Sequence, residues 1–168
     1  MKTSFKQYLQ LQEELTVRPY TGSNGFYAFV QPTSQSVRDI VSMFPSLALT
    51  EKEQSDLHCT IMYSKTALTC DKLPEIDAGF SKKIHVKELA WWPGHKDDGV
   101  LVLKLDASVL KPLHDKWKKC GAIPTYPEYS PHITLKTPIT HDECKRLLAT
   151  DVSPMTIVLE NERISDLS

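Results

Sequence analysis

The chain has 168 residues, 40% hydrophobic and 24% charged, with a formal net charge of −1. That length suits one domain or two small lobes sharing a core, and the charge balance lacks the positive field with which proteins grip long DNA or RNA. No segment reaches the roughly 18 apolar residues that a membrane-spanning helix needs, and the polar start MKTSFKQYLQLQEEL does not read as a secretory signal.

In chain order, the first predicted helix covers 4–15, where Phe5, Tyr8, Leu9 and Leu15 recur at helical spacing and Ser4 with Gln7 resembles a capping box. RPYTGSNG breaks it, and FYAFVQ (26–31), aromatic and β-branched, predicts a strand. Residues 34–44 predict a helix with Val37, Ile40, Val41 and Phe44 on one face, Ser34 or Ser36 as cap and Pro45 as stop. DLHCTIMYS follows as a strand. Residues 83–92 predict another strand, running into the tight loop PGHKDDG, and 99–106 its alternating partner. Residues 108–121 predict a helix with Pro112 near its first turn and Gly121 at its end. SPHITLK reads as a strand entered through Pro131, 142–150 as a short helix and 155–164 as a last strand. Cys59, Cys70, Cys120 and Cys144 form no Cys-x-x-Cys pair and read as reduced thiols of a cytosol.

Two strand–helix–strand units are hidden in this order. An offset of 74 residues carries His58 onto His132 and Thr60 onto Thr134, and the same offset carries Tyr27 onto Leu101. Residue identity between the units is poor, whereas element order and register repeat. The economical fold is α+β, a single bilobal domain over 1–168 with the first lobe at about 25–80 and the second at about 99–140. Its two sheets would be related by a pseudo-twofold axis around a central cleft.

In a strand, residues i and i+2 share a face. His58 and Thr60 therefore point one way while Cys59 and Ile61 enter the core; His132 and Thr134 do the same, backed by Ile133 and Leu135. Two facing imidazoles suit phosphodiester chemistry. One, neutral, takes a proton from an attacking hydroxyl, and the other, protonated, gives one to the departing oxygen. Threonine hydroxyls anchor the phosphoryl oxygens. A single His-x-Thr in a strand is usually a half-exposed pair with no catalytic role; two copies in matching strands change that balance. His-x-His or carboxylate partners at zinc-binding spacing are missing, so the expectation is no metal and no cofactor.

Paired His-x-Thr motifs, one per lobe, resemble the 2H phosphoesterase superfamily of LigT-like enzymes, over roughly residues 25 to 162. The resemblance implies metal-independent hydrolysis of 2′,5′-linked, 2′,3′-cyclic or related ribonucleotide phosphates. YPEYSPHITL and the tryptophan-bearing strand are further similar to the phage anti-CBASS nucleases, which degrade the cyclic oligonucleotide messengers of a bacterial antiviral system. That implies a small cyclic oligonucleotide substrate, no long nucleic acid and no membrane partner, and a site of action in the host cytoplasm.

The resemblance also places Tyr27, Trp91 or Trp92, and Glu160 against the bases. Adjacent Trp91 and Trp92 face opposite sides of their strand, leaving open which of them stacks, and an ordinary core tyrosine is an equal reading of Tyr27. Lys136, two residues beyond Thr134, is expected on the histidine face within reach of phosphate; an exposed strand end is its rival. Glu160 and Glu162 are expected on one face of the last strand, with solvent exposure the alternative to a base contact. Lys116–Lys119 reads as a solvated helix face, and His85, His95, His114 and His141 as surface residues. Two other functions use the same features: a 2′,3′-cyclic phosphodiesterase acting on RNA ends, and a nucleotide-sequestering protein that binds without cutting.

Overall fold

The computed structural model describes residues 25–68 and 74–167; the helix expected at 4–15, and Cys70, lie outside them. Among the described residues, alternating and apolar runs form six strands: β1 (Phe26–Pro32), β2 (Cys59–Ser64), β3 (Ser81–Pro93), β4 (Asp98–Leu105), β5 (His132–Thr140) and β6 (Thr156–Asp166). The helices are α1 (Ser34–Met43), α2 (Glu51–Ser55), α3 (Lys111–Lys119) and α4 (His141–Cys144). The class is mixed α+β. Thr33, rather than Ser34 or Ser36, caps α1, its hydroxyl accepting from Ser36 N. The chain also forms α2, which no apolar periodicity announces, although Thr50 and Glu53 make a complete capping box. The helix expected at 142–150 divides into α4 and a short turn at Leu147–Ala149.

All strand pairs are antiparallel, and the sheet closes as a barrel in the order β1-β2-β5-β4-β3-β6. Its narrowest seam is β2–β5, registered through Cys59 opposite Ile133 alone. Those are the central residues of the two His-x-Thr motifs. Closure at this seam therefore brings the motifs side by side.

Each motif strand leaves its outer partner's register just beyond the threonine. Thr60 sits opposite Phe29 but Met62 opposite Ala28, leaving Ile61 as the extra residue. Thr134 sits opposite Val102 but Lys136 opposite Leu101, leaving Leu135 as the extra one. Such a bulge puts two consecutive side chains on one side of the strand. These pairings also place β1 and β4 at an offset of 73, so Tyr27 corresponds to Val100 and not to Leu101 as the sequence alone suggested.

The strands have two unlike faces. Phe26, Ala28, Val30, Cys59, Ile61, Leu101, Leu103, Ile133 and Leu135 belong to one large core, to which α1, α3 and α4 contribute Ile40, Trp117 and Cys144. Among the described residues, the opposite face carries two small clusters to which no helix contributes. Tyr27, Phe29 and Tyr63, packed by Tyr126, form one; Val100 and Val102, packed by Ala90 and Trp92, form the other. Gly99 lets β3 close on β4, because a Cβ there would lie 2.4 Å from Trp92 O and 2.6 Å from the Trp91 ring.

Glu162 departs from expectation. Asn161 adopts a left-handed backbone, φ 57°, so Glu160 and Glu162 do not share a face. The Glu162 carboxylate is fully buried, where it accepts from Asp77 N at 2.7 Å, Trp117 Nε1 at 2.9 Å and Lys116 Nζ at 2.5 Å. Lys116 is thus an ion-pair partner and not part of a solvated face. Cys59 and Cys144 are free thiols, but Cys120 is disulfide-bonded, against the expectation of reduced cysteines throughout.

Candidate active site

His58 and His132 flank the β2–β5 seam, each immediately before the Cys59–Ile133 pair. Their rings are held in the same way. His58 Nδ1 lies 2.8 Å from Asp56 O, and His132 Nδ1 lies 2.9 Å from Ser130 O, in each case the carbonyl two residues earlier. A carbonyl only accepts, so Nδ1 carries the hydrogen in both rings and Nε2 is the basic nitrogen. One backbone device sets both tautomers.

Each imidazole also meets an aromatic ring edge-on. Phe29 lies 5.7 Å from His58 and Trp92 lies 4.6 Å from His132, centroid to centroid. Phe29 is fully buried, whereas Trp92 is half-buried. Burial holds the His58 pKa below the usual imidazole value, opposed by the Asp56 carbonyl and carboxylate. Burial brings His132 down to about 4, opposed by its bond to Ser130 and reinforced by the charges of His58 and Lys104. The two imidazoles are close enough that charge on one disfavours charge on the other. Thr60 is half-buried opposite buried Phe29, and Thr134 is buried opposite Val102, so both lie with the histidines on the face opposite the large core.

The other expected residues separate. Trp91 packs against the large core and donates from Nε1 to Ile139 O at 2.9 Å, so Trp92 is the tryptophan on the histidine face. Tyr27 is on that face too, stacked on Phe29 at 5.2 Å, and is fully buried. Glu160 alternates with core residue Leu159 and pairs with Gln31 of β1, which puts it at the margin of the same face. Lys136 is not with the histidines: the bulge at Leu135 places it opposite core residue Leu101, and Glu53 of α2 holds its ammonium at 2.8 Å. Lys136 in turn helps hold the Glu53 carboxyl below its usual range, although burial alone would raise it.

Lys104 and Tyr129 carry no assignment from sequence and His114 is expected on the surface, yet all three belong to the site or its support. Lys104, directly opposite His132, is the one charge in VLVLKL, and Glu88 of β3 pairs with it at 2.9 Å. Tyr129 and His114 bond the main chain of β2. His114 is buried and not a surface residue, while His85, His95 and His141 are exposed. Burial also pushes the Cys59 thiol up to about 12, leaving it protonated and poorly nucleophilic between the motifs. Among the described residues, no cluster of three or more His, Cys, Asp or Glu side chains forms a metal-binding set, and no helix is long and apolar enough to cross a membrane.

Comparison with known proteins gives this geometry a family context. The family model described as anti-CBASS protein Acb1 matches residues 24–168. Anti-CBASS protein Acb1 of Vibrio phage KVP40 (isolate Vibrio parahaemolyticus/Japan/Matsuzaki/1991) is 24% identical over 141 residues, spanning 80% of this chain and 90% of that protein. The chain belongs to the anti-CBASS protein Acb1 family.

Proposed function

We propose that this member of the anti-CBASS protein Acb1 family is a metal-independent phosphodiesterase that cleaves small cyclic oligonucleotides and so blocks CBASS signalling in the host cytoplasm. The observation that carries the reading is the β2–β5 seam. It brings together two imidazoles in one tautomer, each with a threonine two residues on. The matching bulges after Thr60 and Thr134 support a pseudo-twofold arrangement of the 2H phosphoesterase kind.

In this reading the 2′-hydroxyl of the ribose beside the scissile bond attacks phosphorus. Neutral His132 takes its proton at Nε2, and His58, protonated at Nε2, gives a proton to the departing 5′-oxygen. The products are a 2′,3′-cyclic phosphate and a free 5′-hydroxyl, with the proton count unchanged. The assignment follows the neighbouring charges: Lys104 beside His132 disfavours its cation, and Asp56 beside His58 favours one. A bound phosphate adds negative charge and draws the His58 pKa upward. Thr60 and Thr134 donate to the non-bridging oxygens, where losing one donor at a developing oxyanion costs about 2.7–4 kcal/mol. Trp92 offers its ring to a base, a stack worth about 1–3 kcal/mol.

The test is a panel of cyclic di- and trinucleotides incubated with the protein and a chelator, with products separated by chromatography. Cleavage of at least one member, resistance of its 2′-deoxy analogue and a transient 2′,3′-cyclic phosphate are the expected results. Cleavage confined to linear RNA ends would replace the cyclic substrate, and tight binding without cleavage would favour sequestration. Loss of activity in chelator would end the metal-independent reading.

A further inference from the structure

Beyond the Cys59–Ile133 pair, β2 and β5 share no further registered partners. The β2 carbonyls on that side need other donors, because an unpaired buried carbonyl is costly. Tyr129 and His114 supply the shorter bonds, beside a 3.8 Å contact from the Cys59 thiol to Thr60 O. Tyr129 Oη donates to Thr60 O at 3.1 Å, and His114 Nδ1 donates to Ile61 O at 2.7 Å. The two rings stack, centroids 4.3 Å apart and planes 12° apart. Thr60 and Ile61 are the threonine of the first motif and the extra residue of its bulge.

Tyr129 stands three residues before His132, and the intervening Ser130 supplies the carbonyl that fixes the His132 ring. One short segment thus holds the second imidazole through its main chain and the first motif through its tyrosine. His114, from α3, wedges the tyrosine from behind, over a separation of 53 residues from Ile61. The chemistry proposed above uses neither side chain.

We propose that the stacked Tyr129–His114 pair is a positioning brace that sets the separation and angle of the two His-x-Thr strands. Its kinetic consequence rests on the phosphodiesterase reading; the brace itself rests on the contacts to Thr60 and Ile61. Tyr129→Phe keeps the ring stack and removes the donor. Misplacing reacting groups by a fraction of an ångström lowers kcat by roughly tenfold while leaving KM within about twofold, since ground-state binding is retained.

The experiment measures kcat and KM on a cleaved cyclic dinucleotide, the thermal midpoint, and imidazole nitrogen NMR spectra for wild type and variants. Tyr129→Phe is expected to lower kcat, keep a near-native midpoint and shift the His58 resonances. His114→Asn, which restores an N–H donor near Nδ1, is expected to recover much of the kcat that His114→Leu loses. Wild-type kcat with unshifted His58 and His132 resonances in Tyr129→Phe overturns the brace. If Tyr129→Phe does not fold, equal kcat and equal spectra for His114→Asn and His114→Leu overturn it instead. A wild type inert toward every cyclic nucleotide defeats the phosphodiesterase reading separately, and the imidazole spectra then still decide the brace.

Discussion

The two halves of the seam use the same local code and differ in what stands beside it. On the β5 side, a row runs across three strands from Glu88 through Lys104 to His132, so a cation neighbours the imidazole. On the β2 side, Glu160 pairs with Gln31, and neutral Gln31 spends its amide on Ser55 O, 3.3 Å away. The nearby charge there is the anion of Asp56. The aromatic neighbours differ as well, Phe29 sealed in a cluster and Trp92 half-exposed. Repetition supplies two imidazoles of one tautomer; the unlike neighbours give them unlike proton affinities. In the proposed mechanism that inequality distinguishes the general base from the general acid.

The sharpest way to break the comparison is to remove each imidazole in turn. His58→Ala and His132→Ala should each lower turnover by roughly 10²–10⁴-fold if each moves a proton. Steady-state kinetics on a cleaved cyclic dinucleotide checks this. A tolerated loss on one side would mean that half serves only as scaffold.

The aromatic neighbours should separate by kind of effect. Phe29 is fully buried between His58 and Tyr27, so Phe29→Ala should cost about 3–5 kcal/mol of folding stability, read by urea denaturation. Trp92→Ala should leave stability closer to wild type and weaken binding by about 1–3 kcal/mol, read by calorimetry on a His132→Ala background. Equal stability losses at both positions would remove Trp92 as the base platform.

How far the sequence foretold the site depended on how local its signals were. His-x-Thr was legible because period-two alternation needs only the strand itself, and two copies at a fixed offset are improbable by accident. The same rule failed for Lys136 and for Glu162, where one extra residue at Leu135 and a left-handed Asn161 reset the alternation. Trp91 and Trp92 were ambiguous because neighbours in a strand always face apart; the bond from Trp91 to Ile139, 48 residues away, resolves them. His114 and Tyr129 gave no local signal, since their partners on β2 lie 53 and 69 residues back. The α2 capping box in TEKE is a local signal, but a helix of five residues is too short to show apolar periodicity. Barrel closure through β3–β6 depends on pairing between strands distant in sequence, which composition and periodicity do not encode.

The smallest expected effects test the electrostatic half of the comparison. His132 in the folded protein sits at about 4 against an ordinary 6.5, so between those values the unfolded chain binds a proton that the folded one refuses. Stability should therefore fall as pH drops from about 6.5 toward about 4, and His132→Asn should flatten that slope. The pH profile of kcat/KM reports the free enzyme, with a rising limb at the lower of the two pKa values and a falling limb at the higher. Lys104→Met removes a charge that lowers the His132 pKa, so the rising limb should move to higher pH. Asp56→Asn removes a charge that raises the His58 pKa, so the falling limb should move to lower pH, while the Asp56 carbonyl still holds the ring. Both changes narrow the bell, from opposite sides. If Asp56→Asn moves the rising limb and Lys104→Met the falling one, the order of the two histidines is reversed, and with it the assignment of base to His132 and acid to His58.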